Sequence, residues 1–136
     1  MDKRAIRAAF DRAAAGYDQA AFLQQEVARR LDERLEVMRI EPERILDAGC
    51  GTGYAFPLLK ARYPKARMIG LDLAHGMLQA ARGKCMTHSL LGRLAKGLGY
   101  RSLFPETCSL ICADLERLPL KKDSLDLVWS NLTLQW

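Results

Sequence analysis

Apolar residues in the first third of the chain recur at helical spacing. From about residue 20 to residue 38 they stand four, four, four and three positions apart, so they share one helix face. A shorter stretch over residues 4–15, rich in Ala and Arg, predicts another helix, and residues 16–18 break the two apart. The predicted apolar face consists of Leu23, Val27, Leu31, Leu35 and Met38, and the opposite face of Glu26, Arg29, Arg30, Glu33 and Arg34.

Beyond residue 43, short apolar runs alternate with short helical patterns. Such alternation predicts an α/β fold with a parallel, Rossmann-like sheet, and right-handed crossovers would place helices on both of its faces. We therefore expect one domain, with an N-terminal helical segment over 1–42 and the sheet over 43–136. The predicted strands cover residues 44–47, 67–72, 109–113 and 125–130, and the predicted helices cover 57–63 and 75–82.

Two features of the second half depart from a simple alternation. The stretch 83–108 is long for a connection between a helix and a strand, so we predict an insertion, with room for a helix over 88–96. The chain stops at Trp136, directly after the fourth predicted strand, whereas a doubly wound sheet normally has more strands on that side. The sequence therefore predicts a truncated sheet whose fourth strand is an exposed edge that promotes self-association.

Composition narrows the class of protein. No apolar run approaches the roughly 18 residues that span a bilayer, and the first residues do not resemble a signal peptide, so we expect a soluble, cytoplasmic protein without membrane contact. The net charge of +5 could attract an acidic partner or serve only solubility; the basic residues form no run, so we expect no nucleic-acid partner. The four cysteines form no CxxC pair or zinc pattern, which predicts reduced thiols and no metal site.

The first predicted strand runs into a cluster of glycines at residues 49–53, which we call the glycine turn. Its spacing is Asp47-x-Gly49-x-Gly51-x-Gly53, and Tyr54 stands where a dinucleotide-binding motif would need a further glycine. Glycines at such a turn let a ligand approach the main chain closely. Asp47 would repel a pyrophosphate but attract a ligand that carries an ammonium and a sulfonium group. S-adenosylmethionine has both groups.

Two further acids follow the next strands. Asp72 stands about twenty residues beyond the glycines, where an acid can accept ribose hydroxyls, and Asp114 ends the third strand. The ends of parallel strands share one edge of the sheet, so the acids would lie along a ligand-binding edge. Each has a simpler interpretation: Asp47 as a loop acid, Asp72 as the cap of helix 75–82, and Asp114 as a cap or a solvated acid. Met77 could equally be a core residue.

These motifs resemble those of class I S-adenosylmethionine-dependent methyltransferases. The segments that carry the resemblance are Leu46–Gly53, Leu71–Leu73, Asp114–Leu120 and Ser124–Val128. Two more segments are similar to the malonyl-acyl-carrier-protein O-methyltransferases of biotin biosynthesis, at their start and after their fourth strand: Phe10–Asp18 and Trp129–Trp136. The similarity covers nearly the whole chain apart from 83–108.

The resemblance implies which residues hold the methionine end of the cofactor. The three glycines of the turn would shape this part of the site, together with Cys50, and Asp47 would lie near the ammonium group. Asn131 would close the site near the sulfonium. Tyr17 would fold over the cofactor and help to shape the methyl-transfer pocket, although a tyrosine beside a helix break often only packs its ring.

The resemblance also implies that residues at the ends of the second and third predicted strands hold the adenosine end of the cofactor. Asp72 would bind the ribose, Leu73 and Met77 would flank the adenine, and Asp114 would meet its amino group. Leu115 belongs to the same part of the implied cofactor site.

The family reaction is methylation of the free carboxyl of a malonyl group carried by an acyl carrier protein. Both reacting groups are already activated, so alignment of the two would supply most of the rate enhancement. The resemblance therefore implies neither a Ser-His-Asp set nor a metal. Two alternatives stay open: an enzyme of the same class that acts on another small molecule or on RNA, and a non-catalytic binding module with the same fold.

Overall fold

The computed structural model describes residues 2–86 and 108–134. Four strands form one parallel sheet in the order β3-β2-β1-β4, with Leu46 of β1 in register with Ile69 on one side and Val128 on the other. The strand order reverses between β1 and β4, and such a switch point is where open α/β sheets bind ligands. The strands are β1 (Arg44–Ala48), β2 (Arg67–Asp72), β3 (Cys108–Cys112) and β4 (Leu127–Trp129). The predicted parallel α/β sheet is confirmed.

Helical elements precede β1, connect β1 to β2, and follow β2. The predicted break at residues 16–18 is only partly correct: the first helix ends at Ala13 and Gly16 leaves helical geometry, but a 3₁₀ turn over Ala14–Gly16 leads directly into another helix at Tyr17. The last helix continues to Met86, beyond the predicted end at residue 82, and the insertion over 83–108 stays a prediction. The helices are α1 (Lys3–Ala13), α2 (Tyr17–Ala20), α3 (Phe22–Leu35), α4 (Ala55–Arg62) and α5 (His75–Met86).

The apolar face predicted for α3 is only partly correct. Ala28 and Leu35 are buried, whereas Leu23 is 62% exposed and Met38 is 48% exposed. Leu23 lies about 140° around the helix from Ala28 at 100° per residue, so the two cannot face the same neighbour. Met38 lies beyond the end of α3. The buried face is therefore centred on Ala28 and includes Leu31, which packs against the core.

The two faces of the sheet are covered differently. Buried residues of α3, α4 and α5 share one cluster with Ile45, Met68 and Trp129 on the first face. On the second face Leu46 and Leu71 pack against side chains that precede or follow a 3₁₀ turn over Leu115–Arg117. Within the described residues this turn is the only helical element placed against the second face. The division into segments 1–42 and 43–136 stays a prediction.

Strand β4 forms one edge of the described sheet. It pairs with β1, and Val128 is 58% exposed. Self-association through this edge stays a prediction. The predicted helix over 88–96 lies outside the described residues. Across the described ranges, no helix combines the length and the apolar character that crossing a membrane requires.

The prediction of four reduced cysteines is wrong. Cys85 at the end of α5 and Cys108 at the start of β3 form a disulfide, with 5.7 Å between their Cα atoms. Cys50 and Cys112 are free. Because α5 packs on β3, it brings together two cysteines that lie 23 positions apart, and no local spacing signals that pairing. In the described residues no group of side chains could hold a metal ion.

We expect two reactive thiols rather than four when the protein is unfolded without reductant and titrated with a thiol reagent. The missing pair is Cys85 and Cys108. Replacing Cys85 with Ser should lower the free energy of unfolding by about 3 kcal/mol, because the bridge restricts the unfolded chain. For this test the protein is kept free of air and of reductant from purification to denaturation. Four titratable thiols under these conditions would contradict the pairing.

Candidate active site

A cavity of about 60 Å³ lies at the carboxyl end of β1, beside the switch point. One wall is the glycine turn, and the opposite wall comes from the N-terminal segment through Tyr17, Asp18 and Gln24. Trp129 and Asn131, at the end of β4, complete the lining. The fold thus brings together side chains that are more than a hundred positions apart along the chain.

The glycine turn depends on backbone conformations with positive φ. Gly49 has φ +76°, and a Cβ there would lie 2.1 Å from Cγ2 of Thr133. Gly51 has φ +52°, and a Cβ there would meet nothing within 4 Å. The amides of Gly49 and Cys50 donate to the carbonyl of Leu71 at 2.7 and 3.0 Å. These bonds fasten the turn to the end of β2.

Asp47 is the most unusual group in the cavity wall. Its side chain is buried, with 2% of the residue exposed, and its Oδ2 atom has no hydrogen-bond partner among the described residues. Burial and the charge of Asp72 together raise the pKa of Asp47 to about 8. Buried polar atoms are nearly always hydrogen-bonded, so an unpartnered carboxyl oxygen at a cavity indicates a place for a ligand.

Two further residues that line the cavity also carry a buried polar atom that has no hydrogen-bond partner among the described residues. Within the described parts of the chain, Nε1 of Trp129 and Oδ1 of Asn131 are buried without a partner. The Asn131 amide is oriented by its Nδ2 group, which donates to the carbonyl of Gln24 at 2.7 Å. With Asp47, three residues that line the cavity therefore carry buried atoms without a partner among the described residues, two of them acceptors and one a donor. Trp129 was not predicted as a site residue, because an aromatic residue on a strand is typical of a core position.

Tyr17 is half-buried and lines the cavity. Its ring makes an edge contact with Phe10, with 6.3 Å between the centroids. Burial raises the pKa of Tyr17, the charge of Asp72 raises it further, and a hydrogen bond with Gln24 opposes the shift. The structure thus shows both features considered for this residue, a packed ring and a place in the cavity wall.

Asp72 fastens the glycine turn to the start of α5. Its Oδ2 accepts the amide of Gly51 at 2.9 Å, and its Oδ1 accepts the amide of Ala74 at 2.8 Å. Burial raises the pKa of Asp72, and the backbone hydrogen bonds oppose this shift. Ala74 precedes α5, so the bond from its amide does not make Asp72 the N-cap of that helix, and the contact of Asp72 with a ribose stays a prediction.

Asp114 is engaged elsewhere than in the cavity. Its Oδ2 accepts the ammonium of Lys3 at 2.7 Å, and its Oδ1 accepts the amide of Glu116 at 3.0 Å and so caps the 3₁₀ turn. The Lys3 bond and then the Glu116 amide lower the pKa of Asp114. Leu115 packs against the second face of the sheet.

The remaining predicted residues divide between the cavity and its surroundings. Cys50 lines the cavity, is buried, and has a pKa raised well above its ordinary value by burial and by Asp47. Gly53, Leu73 and Met77 do not line it; Met77 is only 1% exposed, as a core residue would be. The cavity therefore unites the residues predicted for the methionine end except Gly53, and those predicted for the adenosine end lie outside it.

Comparisons with known proteins identify the family of the chain. A family model described as a methyltransferase domain matches residues 46–136. A malonyl-[acyl-carrier protein] O-methyltransferase of Laribacter hongkongensis is 54% identical over 99% of this chain and 42% of its own length. A protein of the same name from Methylovorus sp. is 46% identical over 100% of this chain and 42% of its own length. The chain thus spans about two-fifths of these relatives.

Solved structures show the same fold. The magnesium protoporphyrin IX methyltransferase of Synechocystis, solved with bound S-adenosylmethionine, is similar with a TM-score of 0.62 and 21% identity, over 96% of this chain and 61% of that one. The amino pentose methyltransferase CalS10 of Micromonospora echinaspora, also solved with the cofactor, gives a TM-score of 0.55 and 24% identity, over 85% and 39%.

Proposed function

We propose, since this chain belongs to the methyltransferase domain family, that it binds S-adenosylmethionine for methyl transfer to the free carboxyl of a malonyl group on an acyl carrier protein. The cofactor part of this proposal is supported by the chain's own cavity. The acceptor part is supported by the names of the relatives, of which the chain spans about two-fifths.

The observation that carries the proposal is the set of three unpartnered buried atoms around one cavity. Asp47 and Asn131 present acceptors that suit an ammonium group, and Trp129 presents an N–H that suits a carboxylate. An amino-acid end, such as the methionine end of S-adenosylmethionine, satisfies all three. The volume of about 60 Å³ suits that end alone, because sites for whole small molecules occupy roughly 300 Å³ or more.

Charge favours the same ligand. Asp47 and Asp72 lie at adjacent strand ends, and Asp72 raises the pKa of Asp47. A cation that binds in the cavity beside Asp47 offsets this repulsion and stabilises the ionised form of Asp47. A ligand with a phosphate would instead add a third negative charge. The site therefore selects a cationic ligand over a dinucleotide.

The reaction asks little acid–base chemistry of the protein. S-adenosylmethionine supplies a methyl group that its sulfonium has already activated, and a free carboxyl is an anion at neutral pH. What remains for the chain is to hold the methionine end at Asp47 and Asn131 and to keep water out beneath Tyr17. Fixing the two reactants in line can supply about 7–11 kcal/mol of the barrier reduction.

The acceptor is tested by incubating the full-length protein with radiolabelled S-adenosylmethionine and two carrier proteins. One carries a malonyl group and the other an acetyl group, which lacks the free carboxyl. We expect base-labile label on the malonyl form alone. Label on neither form, in protein that binds S-adenosylhomocysteine, would remove this acceptor and leave a methyltransferase for another small molecule or RNA.

A further inference from the structure

The N-terminal segment over residues 2–21, which we call the strap, crosses the carboxyl edge of the sheet. Side chains of the strap contact the segment that follows each of three adjacent strands. These contacts are Lys3 with Asp114 after β3, Asp11 with the amide of Gly76 after β2, and Asp18 with Thr52 after β1. The third contact lies at the cavity, since both Asp18 and Thr52 line it.

Asp18 binds two partners from different elements. One carboxylate oxygen accepts the hydroxyl of Thr52 in the glycine turn, and the other accepts the ammonium of Lys84 on α5 at 2.5 Å. Lys84 also donates to the Thr52 hydroxyl at 3.3 Å. Burial opposes the charge of Asp18, but the bonds from Lys84 and Thr52 outweigh it and lower the pKa of Asp18. The three side chains therefore form one closed network.

We propose that Asp18 is a positioning residue that fastens the strap to the glycine turn and so holds Tyr17 as a wall of the cofactor cavity. Asp18 follows Tyr17 directly in the chain, and its carboxylate accepts a hydrogen bond from the Thr52 hydroxyl. Thr52 is 3% exposed and lies between Gly51 and Gly53 in the glycine turn. The inference rests on the proposed function, because its consequence is measured on the cofactor.

A purely structural role would have a different signature. The Asp18 side chain is 46% exposed, and exposed ion pairs contribute little to global stability. Loss of the Asp18 carboxylate should therefore leave the unfolding transition nearly unchanged and act on ligand affinity. A contact that mattered only for folding would change the unfolding transition first.

The test compares Asp18→Asn, Thr52→Val and the double variant by calorimetric titration with S-adenosylhomocysteine. We expect each single variant to bind about tenfold more weakly, as loss of a hydrogen bond to a charged group implies. The double variant should be no weaker than the weaker single one, because both changes break the same network. Asp18→Glu, which keeps the carboxylate, should recover most of the affinity.

Asp32→Asn is the matched control. It breaks the two-bond pair between Asp32 and Arg62, at 2.8 and 2.9 Å, which joins α3 to α4 away from the cavity. We expect it to change the unfolding transition without changing affinity. Affinity of the Asp18→Asn variant equal to that of the wild type would overturn the proposal.

Amide hydrogen exchange of residues 14–21 tests the fastening role of Asp18 without any ligand, so its result does not depend on the proposed function. Without ligand, exchange should speed up in the Asp18→Asn variant and stay unchanged in Asp32→Asn. A wild-type protein that is folded but binds no S-adenosylhomocysteine would refute the proposed function. In that case unchanged exchange in Asp18→Asn would overturn the fastening role as well, and faster exchange would support it.

Discussion

The Asp47→Asn variant should melt at a higher temperature than the wild type at pH 8 without ligand, and should lose most of its affinity for S-adenosylhomocysteine. The reason for the first effect is the burial of Asp47, whose pKa rises to about 8. In the unfolded chain an Asp ionises near about 3.9. Between those two pH values the folded state holds a proton that the unfolded state has lost.

The sign of the pH dependence follows from this difference. Because the folded state binds more protons between about pH 4 and 8, stability falls as the pH rises through that window. The full difference would be at most roughly 6 kcal/mol at 1.36 kcal/mol for each pKa unit, and relaxation around Asp47 reduces it. The Asn side chain does not titrate, so the variant should lack this decline.

Denaturant unfolding of the wild type and of Asp47→Asn at pH 5, 7 and 8 measures the predicted difference in stability and its dependence on pH. The Asp123→Asn variant, which alters an exposed acid, should follow the wild-type curve. The second effect is measured by titration with S-adenosylhomocysteine, where we expect at least about a thirtyfold loss, since removing one partner of a buried charge pair costs 2–5 kcal/mol. An Asp47→Asn variant that binds like the wild type would exclude an ammonium contact at this carboxyl.

The Gly49→Ala variant should be far less stable than Gly51→Ala, although both positions have positive φ. A non-glycine residue in this conformation costs about 1–2 kcal/mol at either site. Only at Gly49 does the added Cβ also fall 2.1 Å from Cγ2 of Thr133. We expect Gly51→Ala to lose about 1 kcal/mol of unfolding free energy, and Gly49→Ala several times as much.

Urea unfolding of the two glycine variants provides the comparison. The Gly49→Ala variant with Thr133→Gly removes the side chain that the new Cβ meets, so it should regain stability relative to Gly49→Ala alone. Equal losses at Gly49 and Gly51 would show that Thr133 does not pack where the structure places it.

The features that the sequence predicted correctly are those with local signals. Strand β2 has the predicted bounds 67–72, since it begins after the turn at Pro64 and ends at Asp72. The spacing of the glycines and Asp47 predicted a cationic cofactor end, and Asp47, Gly49 and Gly51 do line one cavity, although Gly53 does not. Asn131 was assigned by resemblance and reaches the cavity because β4 pairs with β1.

The features that the sequence did not predict depend on contacts between distant residues. Nothing near Trp129 indicates that its Nε1 lacks a partner, since that follows from the packing around the end of β4. The role of Asp18 depends on Thr52 and Lys84, at separations of 34 and 66 positions. The Cys85 disulfide likewise depends on how α5 packs against β3.

Calorimetric titration of the wild-type protein with S-adenosylhomocysteine at pH 6 and pH 7.5 tests the central claim most directly. We predict one binding site whose affinity rises by up to about tenfold for each pH unit, because Asp47 must lose its proton to meet the ligand's ammonium. The heat should also depend on the buffer, as expected for a released proton. No heat at either pH, in protein whose folding is confirmed by circular dichroism, would contradict the account.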